Sequence, residues 1–269
     1  MHEPLHKFFA DRGTHLAAMI AYLALLSFVP LLFLALALFG LFGRADETSH
    51  LVSELQKIFP SSSVETIVNV VNAIQDNAAT LGIIGGVLLL WTSLSLFSVL
   101  ESAFNIVYGR PNRSFLHGKA VAVALLLSSL VALFASLVIG SFGFELLRDY
   151  APGFADNAVV GYGLSVLLSS VGVFIFLVSV YYLLTNEPLQ FRDVLPGALL
   201  ATVLLQTTFQ VLPIYVRLTK DIAALQAFGG VPILLIWLYV MANVIVFGAE
   251  VNWWRSRRAR EEPEGAGLA

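Results

Sequence analysis

No cysteine occurs in the 269 residues. That excludes disulfides, thiolate metal sites and thiol nucleophiles, and leaves the redox compartment unaddressed. Charge is scarce as well: Asp, Glu, Lys and Arg make up 12% of the chain against 58% hydrophobic residues, and mean hydropathy is +0.84. So apolar a composition excludes an ordinary soluble domain and belongs in a bilayer. The net charge of -3 carries no nucleic-acid signature, and the one dense basic run, Arg255, Arg257, Arg258 and Arg260, follows an apolar stretch and reads as a membrane stop signal. P-loop, HExxH and GxSxG motifs are missing too. His2, His6, His15, His50 and His117 all lie in loops or at span ends, so no pair inside a span suits a metal. The expectation is a chain that is not an enzyme, with no cofactor, no metal and no nucleic-acid partner.

What is present is long apolar runs. Crossing roughly 30 Å of hydrocarbon takes about 20 helical residues. Six segments qualify, at about 16–42, 81–108, 120–147, 159–184, 194–216 and 231–254. They predict an all-α membrane protein forming a single integral membrane domain over 1–269, with a basic cytoplasmic tail at 255–269. The first run is longer than a signal-peptide core and lacks a small-residue cleavage site, so it is expected to stay in the mature protein. An even number of spans puts both termini on one side. Lys7, Arg12, Arg110, Arg113, Lys119, Arg192 and the four tail arginines lie on that side, against Arg44, Lys57, Arg148, Arg217 and Lys220 opposite, which makes it cytoplasmic.

The loop at 44–80 is the largest segment outside the spans. Val64, Ile67, Val68, Val71 and Ile74 recur at helical spacing, Ser62 and Glu65 form a capping box, and an amphipathic piece, SHLVSELQKIF, precedes Pro60. An extracytoplasmic amphipathic helical hairpin between spans one and two is predicted.

Few polar residues interrupt the spans. Ser98, Glu101, Asn105 and Tyr108 fall at i, i+3, i+7 and i+10 on one helical stripe, and Tyr239, Asn243 and Glu250 share another. A carboxylate at membrane depth must be neutral, paired or beside water. Glu101, nine residues before Arg110 and so about 13 Å deep, is the candidate for a functional cavity. Glu250 lies nearer the interface, where a pair with Arg192 or the tail arginines, beside the headgroup-level Trp253 and Trp254, is the favoured expectation. Pro30 and Pro213 remove helix hydrogen bonds and predict kinks, whereas Pro196 and Pro232 suit helix starts. Gln206, Thr207, Thr208 and Gln210 cluster near mid-bilayer, where interhelical hydrogen bonding competes with pathway lining. Gly82 and Gly86 form a GxxxG able to seat a helix or a second copy of the chain, a route to a homo-oligomer.

Four stretches, AYLALLSFVPLL, LESAFNIVYGRP, PGALLAT and GGVPILLIWLYVMANVIVFGAEVNWW, resemble the YihY/BrkB family of bacterial inner-membrane proteins. The resemblance runs from Leu5 to Arg258 and implies six transmembrane helices and an envelope role. It carries the family motif onto Tyr22, Ser27, Pro30, Glu101, Asn105, Tyr108, Pro196, Gly197, Gly248, Glu250 and Asn252. Phe228-Gly229 departs from a Tyr-Gly pair common in members. The family has also carried a ribonuclease label, for which the sequence offers no metal-ligand cluster and no soluble domain.

Together these features predict a transporter or flippase-like protein of the bacterial inner membrane, with membrane lipids as partners and an amphiphilic, anionic envelope lipid as cargo. Tyr22, Ser27, Glu101, Asn105, Tyr108, Asn243 and Glu250 are the candidate substrate pathway, and Arg110, Arg113, Lys119 and Arg192 the candidate headgroup attractors. The alternatives are a membrane scaffold or assembly factor, in which the polar groups pair across helices, and a proton-coupled solute transporter, in which Glu101 binds the proton.

Overall fold

The computed structural model describes residues 2–41, 78–129, 158–219 and 231–265. Among them all regular secondary structure is helical: α1 His2–Ala10, α2 Gly13–Leu41, α3 Ala78–Tyr108, α4 Phe115–Ser129, α5 Ala158–Leu184, α6 Phe191–Thr219 and α7 Val231–Gly265. Long runs of Leu, Val, Ile and Ala leave no water to satisfy the backbone, and only a helix then bonds each N–H within its own segment.

Four helical stretches are long and apolar enough to cross a membrane: Ile83–Tyr108, Val166–Leu184, Phe191–Val211 and Val231–Arg258. Two shorter apolar helices, Gly13–Phe28 and Phe115–Ser129, fall at the starts of the first and third expected spans. Only 22–33% of the apolar part of each long stretch is buried, so most of its side chains keep some surface that lipid can cover. Trp91 and Ile83, 68% and 70% exposed, are examples. The predicted hairpin at 44–80 falls at 44–77, and most of the third span at 130–147, outside the described residues. Helix α2 continues through Pro30 and α6 through position 213. At the other end α7 runs past 254 to Gly265, so the basic run begins as further turns of the helix. Arg255, Arg257 and Arg258 are therefore fixed on a helical surface.

Contacts group the chain into two compact units, one of 1–16, 100–209 and 243–269 and one of 17–99 and 210–242. In the second unit Ala17, Ile20, Ala21, Leu89, Phe97 and Trp237 are buried. Its hydroxyls turn back on their own helices: Ser27 Oγ donates to Leu23 O at 2.9 Å and Ser98 Oγ to Leu94 O at 2.7 Å, which hides them from lipid. A β-carbon on Gly86 would meet nothing within 4 Å.

The first unit holds the polar residues of interest. Its core is Phe104, Val107, Leu125, Leu177, Tyr181 and Val246 with small residues between helices. Tyr181 packs its ring 5.2 Å from Phe104 and donates its hydroxyl to Ile245 O at 2.7 Å, joining α3, α5 and α7. Helices α6 and α7 touch through backbone. A β-carbon on Gly197 would collide with Gly248 O and lie 2.5 Å from Asn252 Oδ1, and Gly197 N–H donates to that oxygen at 2.6 Å. Only glycine admits this approach, which gives PGALLAT and FGAEVN a packing reason. After Ala10 a tight turn carries Arg12, a non-glycine residue, at φ 56°, and α2 starts at once with His15 and Leu16 N–H bonding back to Arg12 O. Phe8 of α1 sets its ring edge-on to Phe247 of α7, 6.0 Å away.

Candidate functional site

Helix α3 stops abruptly. Gly109 takes φ 65°, its N–H bonds Ile106 O at 3.0 Å and Arg110 N–H bonds Asn105 O at 2.8 Å, the Schellman pattern that only an αL residue permits. The chain then doubles back, and this places Arg113 beside Glu101. Glu101 is 6% exposed; Oε1 accepts the Arg113 backbone N–H at 3.2 Å and faces its guanidinium at 3.4 Å. The same guanidinium donates to Leu184 O at 2.6 Å and Thr185 O at 2.9 Å, capping orphan carbonyls at the end of α5. Asn105, fully buried, accepts Asn186 N–H at 2.8 Å and donates to Asn112 at 3.1 Å, while Asn186 donates to Pro111 O at 2.9 Å. Glu101, Asn105 and Arg113 thus form one brace across the ends of α3 and α5.

Beside it, Glu187 bonds Arg110 and pairs with Arg260 of α7 at 3.0 Å. The Arg110 bond holds the Glu187 carboxyl below its ordinary value and lifts Arg110. Tyr108, Arg110, Glu187, Trp253 and Arg260 line a small recess of about 200 Å³ here.

Glu250 stands apart from this brace. It has no exposed surface, and its partner is Lys7 of α1, 3.3 Å from Oε2, in place of the Arg192 or tail arginines that the sequence suggested. The reason is the amino-terminal helix. At nine residues it is too short to show periodicity, although Pro4 and Glu3 near its start and Lys7 near its end were a legible helix signal. Lys7 is heavily shared: it also pairs with Asp11, donates to Val107 O at 2.8 Å and lies 4.5 Å over the Trp253 ring. The 3.3 Å approach has ion-pair distance without hydrogen-bond geometry, so both Glu250 oxygens are buried without a hydrogen-bond partner; Asn252 Nδ2 is likewise buried without one.

Between α1 and the end of α7 lies the larger opening, about 730 Å³, lined by Glu3, His6, Lys7, Ala10, Trp253, Trp254, Arg257 and Arg258. Its cations are laid on indoles: Arg258 is 4.3 Å from the Trp254 ring and Arg257 5.5 Å from Trp253. Glu3 accepts Trp254 Nε1–H at 2.6 Å and faces Arg258 at 3.5 Å, which holds its carboxyl low.

Of the predicted residues, Glu101, Asn105, Arg110, Arg113 and Tyr108 gather around the α3–α5 ends. Glu250 has a separate partner, and neither carboxylate lines the 730 Å³ cleft. Asn243 is half-buried in the first unit, Lys119 lies 5.7 Å over the Phe115 ring, and Arg192 is exposed in the first turn of α6. Tyr22, 57% exposed, and Ser27 belong to the second unit. Gln206 bonds Ser169 at 3.1 Å, an interhelical contact. Among the described residues no group of three or more His, Asp or Glu is placed to hold a metal.

Helices of this length and apolarity, with polar groups collected at their ends, define a multi-pass helical membrane protein. The model of the Virulence factor BrkB family matches residues 5–268, and the chain belongs to that family. It is 26% identical to a UPF0761 membrane protein of Nitrosospira multiformis, covering 99% of this chain and 64% of that protein. It is also 25% identical to the ribonuclease-like protein YfkH of Bacillus subtilis, covering 93% of this chain and 92% of that one. A UPF0761 membrane protein of Idiomarina loihiensis is 26% identical over 96% of this chain and 91% of its own length. The chain therefore spans less than two thirds of the first of these relatives and nearly all of the other two. No solved structure matches it.

Proposed function

We propose that the protein is a six-span component of the bacterial cytoplasmic membrane, both termini cytoplasmic, that binds an anionic envelope lipid and moves it between leaflets without enzymatic chemistry. The observation that supports this best is the α1–α7 cleft, where Arg257 and Arg258 lie on Trp253 and Trp254 at the end of an apolar span. Indoles prefer the headgroup level and cations there attract anionic lipid, so the lining suits an amphiphile with a charged head. The excess of Lys and Arg on the terminal side favours the cytoplasmic face, and the 44–80 hairpin would lie opposite.

A second reading, a membrane scaffold, is favoured by the brace, because Glu101 and Arg113 are paired with each other and with helix-end carbonyls. The ribonuclease-like name is that of the Bacillus relative and is not carried over to this chain. Purified protein in liposomes with fluorescent phospholipid separates the two proposals. Transbilayer movement faster than in protein-free vesicles is expected, and equal rates would favour the scaffold.

A further inference from the structure

The α1–α7 cleft has a feature that the lipid-handling proposal does not use: an acid stands in the middle of its cations. Glu3 is the one carboxylate among the lining residues, against His6, Lys7, Arg257 and Arg258. Its Oε2 is the oxygen that takes both the Trp254 N–H, at 2.6 Å, and the Arg258 approach, at 3.5 Å. Both donors can be met by any anionic oxygen. An indole N–H donates only, and a guanidinium presents a planar fork that matches phosphate better than it matches a single carboxylate oxygen. Arg258 is also held flat on the Trp254 ring, so the two donors are presented together.

Resting on the lipid-handling proposal, we infer that Trp254 Nε1 and the Arg258 guanidinium form a seat for one oxygen of a phosphate-ester headgroup, and that Glu3 occupies this seat as a built-in competitor until the ligand displaces it. Displacement is cheap in structural terms. The Glu3 side chain is 69% exposed and Arg258 59%, and exposed pairs of this kind contribute little. The cleft leaves space beside the carboxylate for the rest of a headgroup, with His6 and Arg257 on its wall. Lys7, on the same wall, also faces Glu250, so the seat adjoins the buried acid. A plain structural account is that Glu3, in the first turn of α1, favours the helix amino end and staples α1 to α7. The two accounts differ in sign when the charge is removed: a competitor's loss strengthens ligand binding, whereas a staple's loss weakens the cleft.

The test uses the full chain purified in detergent, with labelled phosphatidylglycerol, diacylglycerol as the phosphate-free lipid and glycerol phosphate as the water-soluble ester. Phosphatidylglycerol is expected to bind in preference to diacylglycerol. Glu3→Gln should tighten that binding about threefold to tenfold, and Arg258→Gln and Trp254→Phe should each weaken it about tenfold, the scale of one charge-assisted hydrogen bond. Glu3→Gln binding equal to or weaker than wild type would overturn the competitor assignment, even where the lipid still crosses the bilayer. Glycerol phosphate binding as tightly as the lipid, with the Glu3→Gln gain intact, would uphold the seat and overturn the lipid as its source. Equal binding of phosphatidylglycerol and diacylglycerol in every variant would overturn both.

Discussion

Glu101 and Glu250 are both buried acids near the ends of apolar helices, yet the chain answers them with different cations. Glu101 has an arginine whose planar fork reaches it and two helix-end carbonyls at once. Glu250 has a lysine, a point charge divided among Glu250, Asp11, a backbone carbonyl and an indole face. The first arrangement gives its carboxylate hydrogen bonds and fixes three segments against one another; the second leaves two carboxylate oxygens without hydrogen bonds. A satisfied network rigidifies, and a buried polar group left without a hydrogen bond is costly. Depth marks Glu101 as the candidate for a functional cavity and favours a structural pair for Glu250, and of the two it is Glu101 that is hydrogen-bonded. Depth sets the cost of a charge, but the partner decides what the charge does.

The largest effect should come from breaking the brace. Arg113→Ala would leave Glu101 buried and unpaired and strip two carbonyls of their donor, a loss of about 3–5 kcal/mol. Thermal unfolding in detergent checks it, and an unchanged midpoint would remove the distinction between the two acids. Next is the α6–α7 contact: Gly197→Ala drives a β-carbon into Gly248 O and should cost about 2–3 kcal/mol. Gly86→Ala, with open space around it, should stay within about 0.5 kcal/mol in the monomer. A Gly86 effect that depends on protein concentration would instead reveal a second copy at the GxxxG face. Glu250→Gln should cost less than Gly197→Ala, about 1 kcal/mol, because Lys7 keeps Asp11 and Val107 O while a poorly satisfied charge disappears. A loss as large as that of Arg113→Ala would make the two acids equivalent. Smallest is a pH effect. The Glu187 carboxyl is held below its ordinary value of 4.5 by Arg110, so its contribution is complete above pH 4.5 and fades as pH falls through the lower folded value. Glu187→Gln should remove that part of the acid-side decline in melting temperature.

The spans were legible because hydropathy acts locally. The runs at 81–108, 159–184 and 231–254 match helices beginning at Ala78, Ala158 and Val231. The partners of the charges were not legible, since pairing is a long-range matter. Nothing local says that Glu250 meets Lys7, or that Arg113 folds back on Glu101, unless the turn at Gly109 is recognised. The turn had a visible cue in the glycine after Tyr108, and Gly197 and Gly248 stood in the motif stretches without declaring that they face each other. The α1–α7 cleft is not legible in the sequence, because only the helical continuation past Trp254 turns the basic run into a surface.

We propose that the α1–α7 cleft works on lipid while the α3–α5 ends only brace the fold. Liposomes carrying equal amounts of folded wild type, Arg258→Gln and Glu101→Gln, followed for transbilayer movement of fluorescent phosphatidylglycerol, test it directly. Wild type and Glu101→Gln should move the lipid at similar rates per folded molecule, with Arg258→Gln slower by about tenfold, one lost charge-assisted contact. Wild-type rates no faster than protein-free vesicles, or a loss confined to Glu101→Gln, would contradict it.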